Sequence, residues 1–120
     1  DGLVYGFHEK GDLRAIAIPE GDVVWKGGGP LGERPQGSGT AFIVRQGEAQ
    51  GSRYWMFAET GDLVIAKMSP EGYTELGRAH LLEPTNTAFG RKVVWCGPAY
   101  ADRSIFVRND KEIIRVSLAR

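Results

Sequence analysis

An all-β chain with tight turns is what this sequence predicts, and three observations predict it. Valine, isoleucine, aromatics and glycine are abundant beside leucine, a mixture of side chains that suit a pleated surface and a backbone that suits turns. Seven short runs read as strands: residues 3–7, 41–45, 54–58, 63–68, 93–96, 105–108 and 113–118. Between them stand Glu-Lys-Gly-Asp, Glu-Thr-Gly-Asp and Asn-Asp-Lys-Glu, polar turns of the kind that close hairpins. No stretch keeps an apolar 3.6-residue period for three turns. The nearest, residues 73–82, is short, contains Gly77 and reads equally well as a strand.

The strands recur with a period. YWMFAETGDLVIAKMSPEGY begins at Tyr54, and fifty positions earlier VYGFHEKGDLRAIAIPEGD carries the same Phe, Glu, Gly-Asp-Leu and Pro-Glu-Gly. A third copy falls on SIFVRNDKEIIRVSL, residues 104–118. Phe7, Phe57 and Val107 align, then a turn, then Asp12, Asp62 and Glu112, then Leu13, Leu63 and Ile113. Downstream, Ile16 and Ile18, Ala66 and Met68, and Val116 and Leu118 share one face by alternation. A period of this length with hairpins inside it predicts β-propeller blades, each a four-stranded antiparallel sheet.

Taken in order, the first hairpin has no strand before it that could serve as the innermost of a blade. GTAFIVR precedes the second hairpin and GPAYADR precedes the third, and both read as innermost strands. The third has no outer strand after it. The expected organisation is therefore a complete blade at residues 37–84, flanked by incomplete blades at 1–26 and 90–120. That makes about two and a half to three blades, an incomplete ring. Gly11 and Gly61 sit in the hairpin turns and are expected at positive φ, where a Cβ is penalised. The ends of the stack are expected to expose apolar faces, with Ile16 and Ile18 at one and Ile114 and Val116 at the other. Such faces drive pairing, so this piece is expected to associate with other blades of a parent propeller or with a second copy of itself.

Composition narrows the function classes. The chain is 42% hydrophobic and 25% charged, as in a folded domain, and its formal net charge is zero. A nucleic-acid binder needs a basic surplus to neutralise phosphates, so nucleic acid is not an expected partner. No apolar run reaches the roughly 20 residues of a membrane-spanning helix, and any export signal is expected outside this sequence. Cys96, the only cysteine, follows Val93-Val94-Trp95 and reads as a small buried hydrophobe.

AIAIPEGDVVW resembles the end of a blade in the quinoprotein-type, or PQQ-like, β-propeller repeats, which favour Ala, Asp, Thr-Gly and Trp at fixed spacing. Ala15, Gly21 and Trp25 match; Ala17 stands at the Asp position and Glu20 at the Thr. In the second repeat Ala66 and Gly72 match, with Leu76 at the Trp position, and GRKVVW (90–95) supplies a similar edge. A wedge-shaped sheet must press on its neighbours, so Trp25 and Trp95 are expected to fill gaps between blades; a ring stacked on a quinone or sugar is the alternative. Trp55 lies in an apolar run that suits a strand buried on both faces. The resemblance implies either a non-catalytic module or a quinone-dependent enzyme. Non-catalytic members include the propeller lipoprotein of the bacterial outer-membrane-protein assembly machinery. The first implies a binding or scaffolding surface of a periplasmic or extracellular bacterial protein, without a cofactor. The second implies a fragment of a pyrroloquinoline-quinone-dependent dehydrogenase, with quinone and calcium. The alcohol-oxidising enzymes carry an adjacent cysteine pair that this sequence lacks, and no cofactor residue carries over by motif.

Other chemistry is thinly represented. Gly27, Gly29 and Gly32 form G-x-G-x-x-G, but Pro30 interrupts and no helix is expected to present amides to a pyrophosphate; the stretch 27–39 reads as a loop between blades. His8 and His80 have no second ligand at metal spacing. Ser69, Ser104 and Ser117 lack the elbow of a nucleophile. Asn109-Asp110 reads as a turn rather than a calcium ligand. The arginines Arg34, Arg45, Arg53, Arg78, Arg91, Arg103 and Arg108 alternate with acids, as in solvated faces and ion pairs between blades. No catalytic or metal residue is expected.

Overall fold

The computed structural model describes residues 2–47 and 52–120, and its regular structure is almost entirely antiparallel β. The first sheet is β1 (Leu3–Phe7), β2 (Leu13–Ala17) and β3 (Val23–Gly27), in that order. A 3-10 turn, Gly29–Leu31, leads to the second sheet: β4 (Ala41–Arg45), β5 (Arg53–Ala58), β6 (Asp62–Ser69) and β7 (Gly72–His80). A two-stranded hairpin, β8 (Asn86–Ala88) and β9 (Arg91–Val93), precedes the third sheet of β10 (Ala99–Ala101), β11 (Ser104–Arg108) and β12 (Ile113–Ser117). None of the sheets closes on itself. The strand expected at 93–96 lies instead at Arg91–Val93, and Val94 beyond it gives its amide to the Glu59 carbonyl, 2.7 Å distant. Residues 73–82 are resolved in favour of a strand, since β7 pairs with β6 along most of that stretch.

Side-chain alternation decides what each sheet covers. On the second sheet Met56, Ala58, Val64, Ala66 and Met68 point one way and join Leu13, with Tyr5, Phe7 and Trp25 of the first sheet packed against them. Phe57 and Leu63 point the other way and join Ile105 and Val107, with Ile114, Val116 and Leu118 of the third sheet beside them. The second sheet is thus the filling between two others, which explains why β6 reads as an almost unbroken apolar run.

Registers support the period of fifty in the first two copies and correct it in the third. Phe7 pairs with Leu13 and Phe57 with Leu63, each across a five-residue turn. In the third copy Arg108, not Val107, takes that place opposite Ile113, because the turn at 109–112 is one residue shorter. Val107 therefore belongs to the opposite face, against the second sheet. The expected apolar end of Ile114 and Val116 is corrected by the same alternation: both pack inward on the second sheet. Ile113 is the residue left outside, 71% exposed, in the position where Leu13 and Leu63 are covered by a neighbouring sheet. Beside it Arg115 lies over the Phe106 ring, 5.8 Å to its centroid.

Both turn glycines take the backbone that only glycine adopts cheaply. Gly61 has φ +86°, and a Cβ there would stand 1.9 Å from the Leu82 carbonyl oxygen; Gly11 has φ +83° and a Cβ would meet the Gln36 carbonyl at 2.2 Å. Gly21 and Gly72 also have positive φ but face open space. Gly61→Ala is expected to lower the unfolding free energy by about 2 kcal/mol, from the left-handed φ and the forced shift of residue 82. Gly21→Ala should cost about 1 kcal/mol or less, from φ alone. Urea denaturation of the pair checks this, and equal losses would overturn the steric argument.

Candidate functional site

The chemistry of this chain lies where the sheets meet. At the first junction Trp25, on β3, donates its indole N–H to the Ser69 carbonyl at 2.7 Å. Its ring lies 5.9 Å from that of Tyr5, which in turn meets Tyr54 edge-on at 5.4 Å. One large side chain therefore closes a gap between two sheets and satisfies its only polar atom in doing so. Trp55, on β5, packs half-buried against the second core.

Glu59 organises the second junction. It follows β5 and is only 6% exposed. Its carboxylate accepts the Thr40 amide at 2.9 Å and takes two hydrogen bonds from the Arg91 guanidinium, at 2.7 and 3.2 Å. The Trp95 indole N–H stands 3.4 Å away. These bonds raise the Arg91 pKa above its ordinary value, and the fork geometry holds both groups with little freedom. Trp95 itself lies beyond β9, not on an outer strand as expected, because β9 pairs with β8 and the second sheet already ends in β7. Its ring is 38% exposed and sits 5.9 Å from both the Arg91 guanidinium and the Phe89 ring. Phe89 tips the β8–β9 hairpin at φ +49° and is 74% exposed.

A polar clasp ties β7 to the β5–β6 turn. His80 reaches Asp62 through Nδ1 and Glu83 through Nε2, both at 2.7 Å. Two carboxylates around one ring favour the imidazolium, and the hydrogen bond to Asp62, then that to Glu83, raises the His80 pKa. Burial pushes Asp62 up, but the bonds from His80 and Arg78 outweigh it and its pKa falls. Arg78 adds contacts to Glu75 and to the Pro30 carbonyl, so the arginines at 78 and 91 are ion-paired at the junctions. Neither histidine suggested this from the sequence, since Asp62 is 18 residues from His80.

The remaining candidates resolve simply. Asn109 Oδ1 accepts the Lys111 and Glu112 amides, both at 2.9 Å, and its Nδ2 donates to the Glu83 carbonyl. That is a turn with its oxygen committed, and it does not fit a calcium ligand. The glycine-rich stretch bears only the 3-10 turn, with no α-helix to meet a phosphate. Cys96 is a free thiol, half-buried rather than buried, because the chain has already left β9. No helix among the described residues is long and apolar enough to cross a membrane.

Two open surfaces border the first sheet. A groove of about 750 Å³ lies between the first and second sheets, lined by Leu3, Tyr5, Ile18, Ile43, Arg45 and Tyr54 among others. On the outer face of the first sheet, Val4 pairs with Ile16 and Ile16 with Val23 across three strands. Val4 and Val23 are about half exposed. Ile16 of this stripe was anticipated, whereas Ile18, expected beside it, lines the groove between the sheets. Arg91 was expected in an ion pair between blades, as it is, but its partner Glu59 and the exposed Phe89 were not, and no motif marks them. Comparison with known proteins leaves these surfaces to be read on their own chemistry: no protein-family model matches the chain, and no curated protein matches it.

Proposed function

We propose that this chain is a non-catalytic β-propeller repeat module that acts as a binding or scaffolding surface within a larger exported bacterial protein, periplasmic or extracellular. Its sheets are successive blades, the middle one complete, and its partners are other blades of the parent propeller or a second copy. The observation that carries the reading is the Val4–Ile16–Val23 stripe. The matching face of the second sheet, with Val64 and Ala66 at its centre, is fully buried by a neighbour. An apolar stripe at that position in the first sheet is made to be covered in the same way. The recurring bulge, at Ala15/Ile16 and again at Ile65/Ala66, supports the blades as repeats of one unit.

Light scattering over a concentration series tests the proposal. The isolated chain is expected to self-associate, and Val4→Lys with Ile16→Lys is expected to shift it toward the 13.1 kDa monomer. A wild-type chain that stays monomeric and cooperatively folded at every concentration would overturn it. So would saturable, stoichiometric binding of pyrroloquinoline quinone with calcium, which belongs to the dehydrogenase reading.

A further inference from the structure

The two inter-sheet junctions are built on one plan, and the second lacks its central piece. In the first sheet Ala15 pairs with Trp25, and the bulge leaves Val24 as the extra residue. In the second sheet Ile65 pairs with Gly77, and the bulge leaves Leu76 as the extra residue. The place of Trp25 is therefore held by Gly77, not by Leu76 as the sequence spacing indicates. Measured from the bulge, Ala66 to Glu75 spans two residues more than Ile16 to Val23, which shifts the phase. Leu76 consequently points to solvent, 48% exposed.

With no indole there, an open groove of about 260 Å³ remains, lined by Trp55, Leu63, Ile65, Ala79, Val116 and Leu118 among others. These are the counterparts of the residues around Trp25. Trp55 stands where Tyr5 does, Leu63 where Leu13 does, and Val116 and Leu118 where Ala66 and Met68 meet the indole from the next sheet. A Cβ on Gly77 would touch only the Ile65 methyl, at 3.4 Å, so the space beyond is open. Arg78 also borders the groove, but its guanidinium is taken by Asp62, Glu75 and the Pro30 carbonyl. The lining offers apolar surface and no uncommitted charge.

We infer that this slot is a binding site for a neutral, planar aromatic molecule of indole size, seated as the Trp25 side chain is seated one junction earlier. An apolar groove of this kind gains dispersion contacts when a flat ring lies in it, and its apolar lining gives up no hydrogen bonds. The ligand's ring would lie between Trp55 of the second sheet and Val116 of the third, and its occupancy would stiffen that junction.

An NMR titration with indole itself tests the assignment. Saturable shifts are expected at the Gly77 amide and at the Val116 and Leu118 methyls, with a Kd on the order of 1 mM for so small a ligand. Gly77→Trp supplies the missing ring from the chain and should weaken indole binding by about tenfold or more. Should that variant fold poorly, Ala79→Phe at the exposed rim is expected to obstruct the same slot. The inference is overturned if indole produces no saturable shift, or if its shifts gather at Phe89 and Trp95. It is equally overturned if neither variant weakens binding, or if affinity falls as protein concentration rises, which would mean that a second copy covers the slot.

Discussion

Glu59→Ala should cost the fold about 3–5 kcal/mol, because it strands a charge rather than merely deleting a contact. The Arg91 guanidinium, only 14% exposed, would keep its desolvation and lose its carboxylate. The Thr40 amide would lose its acceptor in the same step. Glu59→Gln retains an acceptor oxygen without the charge and should lose less. The double variant Glu59→Leu with Arg91→Met removes both ions and should recover most of the loss, as apolar replacement of a buried pair commonly does. Urea denaturation midpoints at unchanged slope provide the measurement. A loss below about 1 kcal/mol in Glu59→Ala would place the pair among surface bridges of little consequence.

Phe57→Ala carries a loss of similar size for a different reason. Phe57 is the largest fully buried side chain, at 0% exposure, and it fills the core between the second and third sheets. Truncation removes apolar burial and leaves a cavity that strands on both sides cannot collapse into, for about 3–5 kcal/mol. Phe57→Leu keeps most of the volume and should cost about 1.5 kcal/mol or less. A thermal or chemical denaturation series over the two variants reads the difference directly. Equal losses would mean that ring shape, not volume, sets the packing.

The parts of this structure that could be read from the sequence are those governed by short-range alternation. Strands β1 and β4 fall at the residues expected, and β5, β6, β11 and β12 differ by one or two at their ends. The turn glycines Gly11 and Gly61 were legible because Gly-Asp after two polar residues leaves the backbone few other conformations. Phase across longer connections was not legible. Nothing local shows that one hairpin is two residues longer beyond its bulge, so Leu76 looked like the partner of Trp25 while Gly77 holds the place. The β8–β9 hairpin was missed because Asn86–Ala88 carries no apolar alternation, and its Phe89-Gly90 turn puts an aromatic where asparagine is usual. Glu59 looked like its counterpart Glu9, which is exposed. Only the distant Arg91 makes the difference, and pairing at 32 residues' separation leaves no trace in a single sequence.

The antiparallel ladders described above have a consequence for how the chain reaches this state. Every ladder joins neighbours in the chain: β1 to β2, β2 to β3, and so on to β11 and β12. Among the described residues no strand waits for a distant partner, so the entropy of closing large loops does not stand ahead of sheet formation. For a β-rich protein that is unusual, since non-local pairing is what makes most of them slow. Hairpin closure here is a microsecond event, and the sequence-distant contacts are the side-chain ones, Trp25 to Ser69 and Arg91 to Glu59. Docking of the sheets, rather than strand pairing, is therefore the step expected to set the height of the barrier.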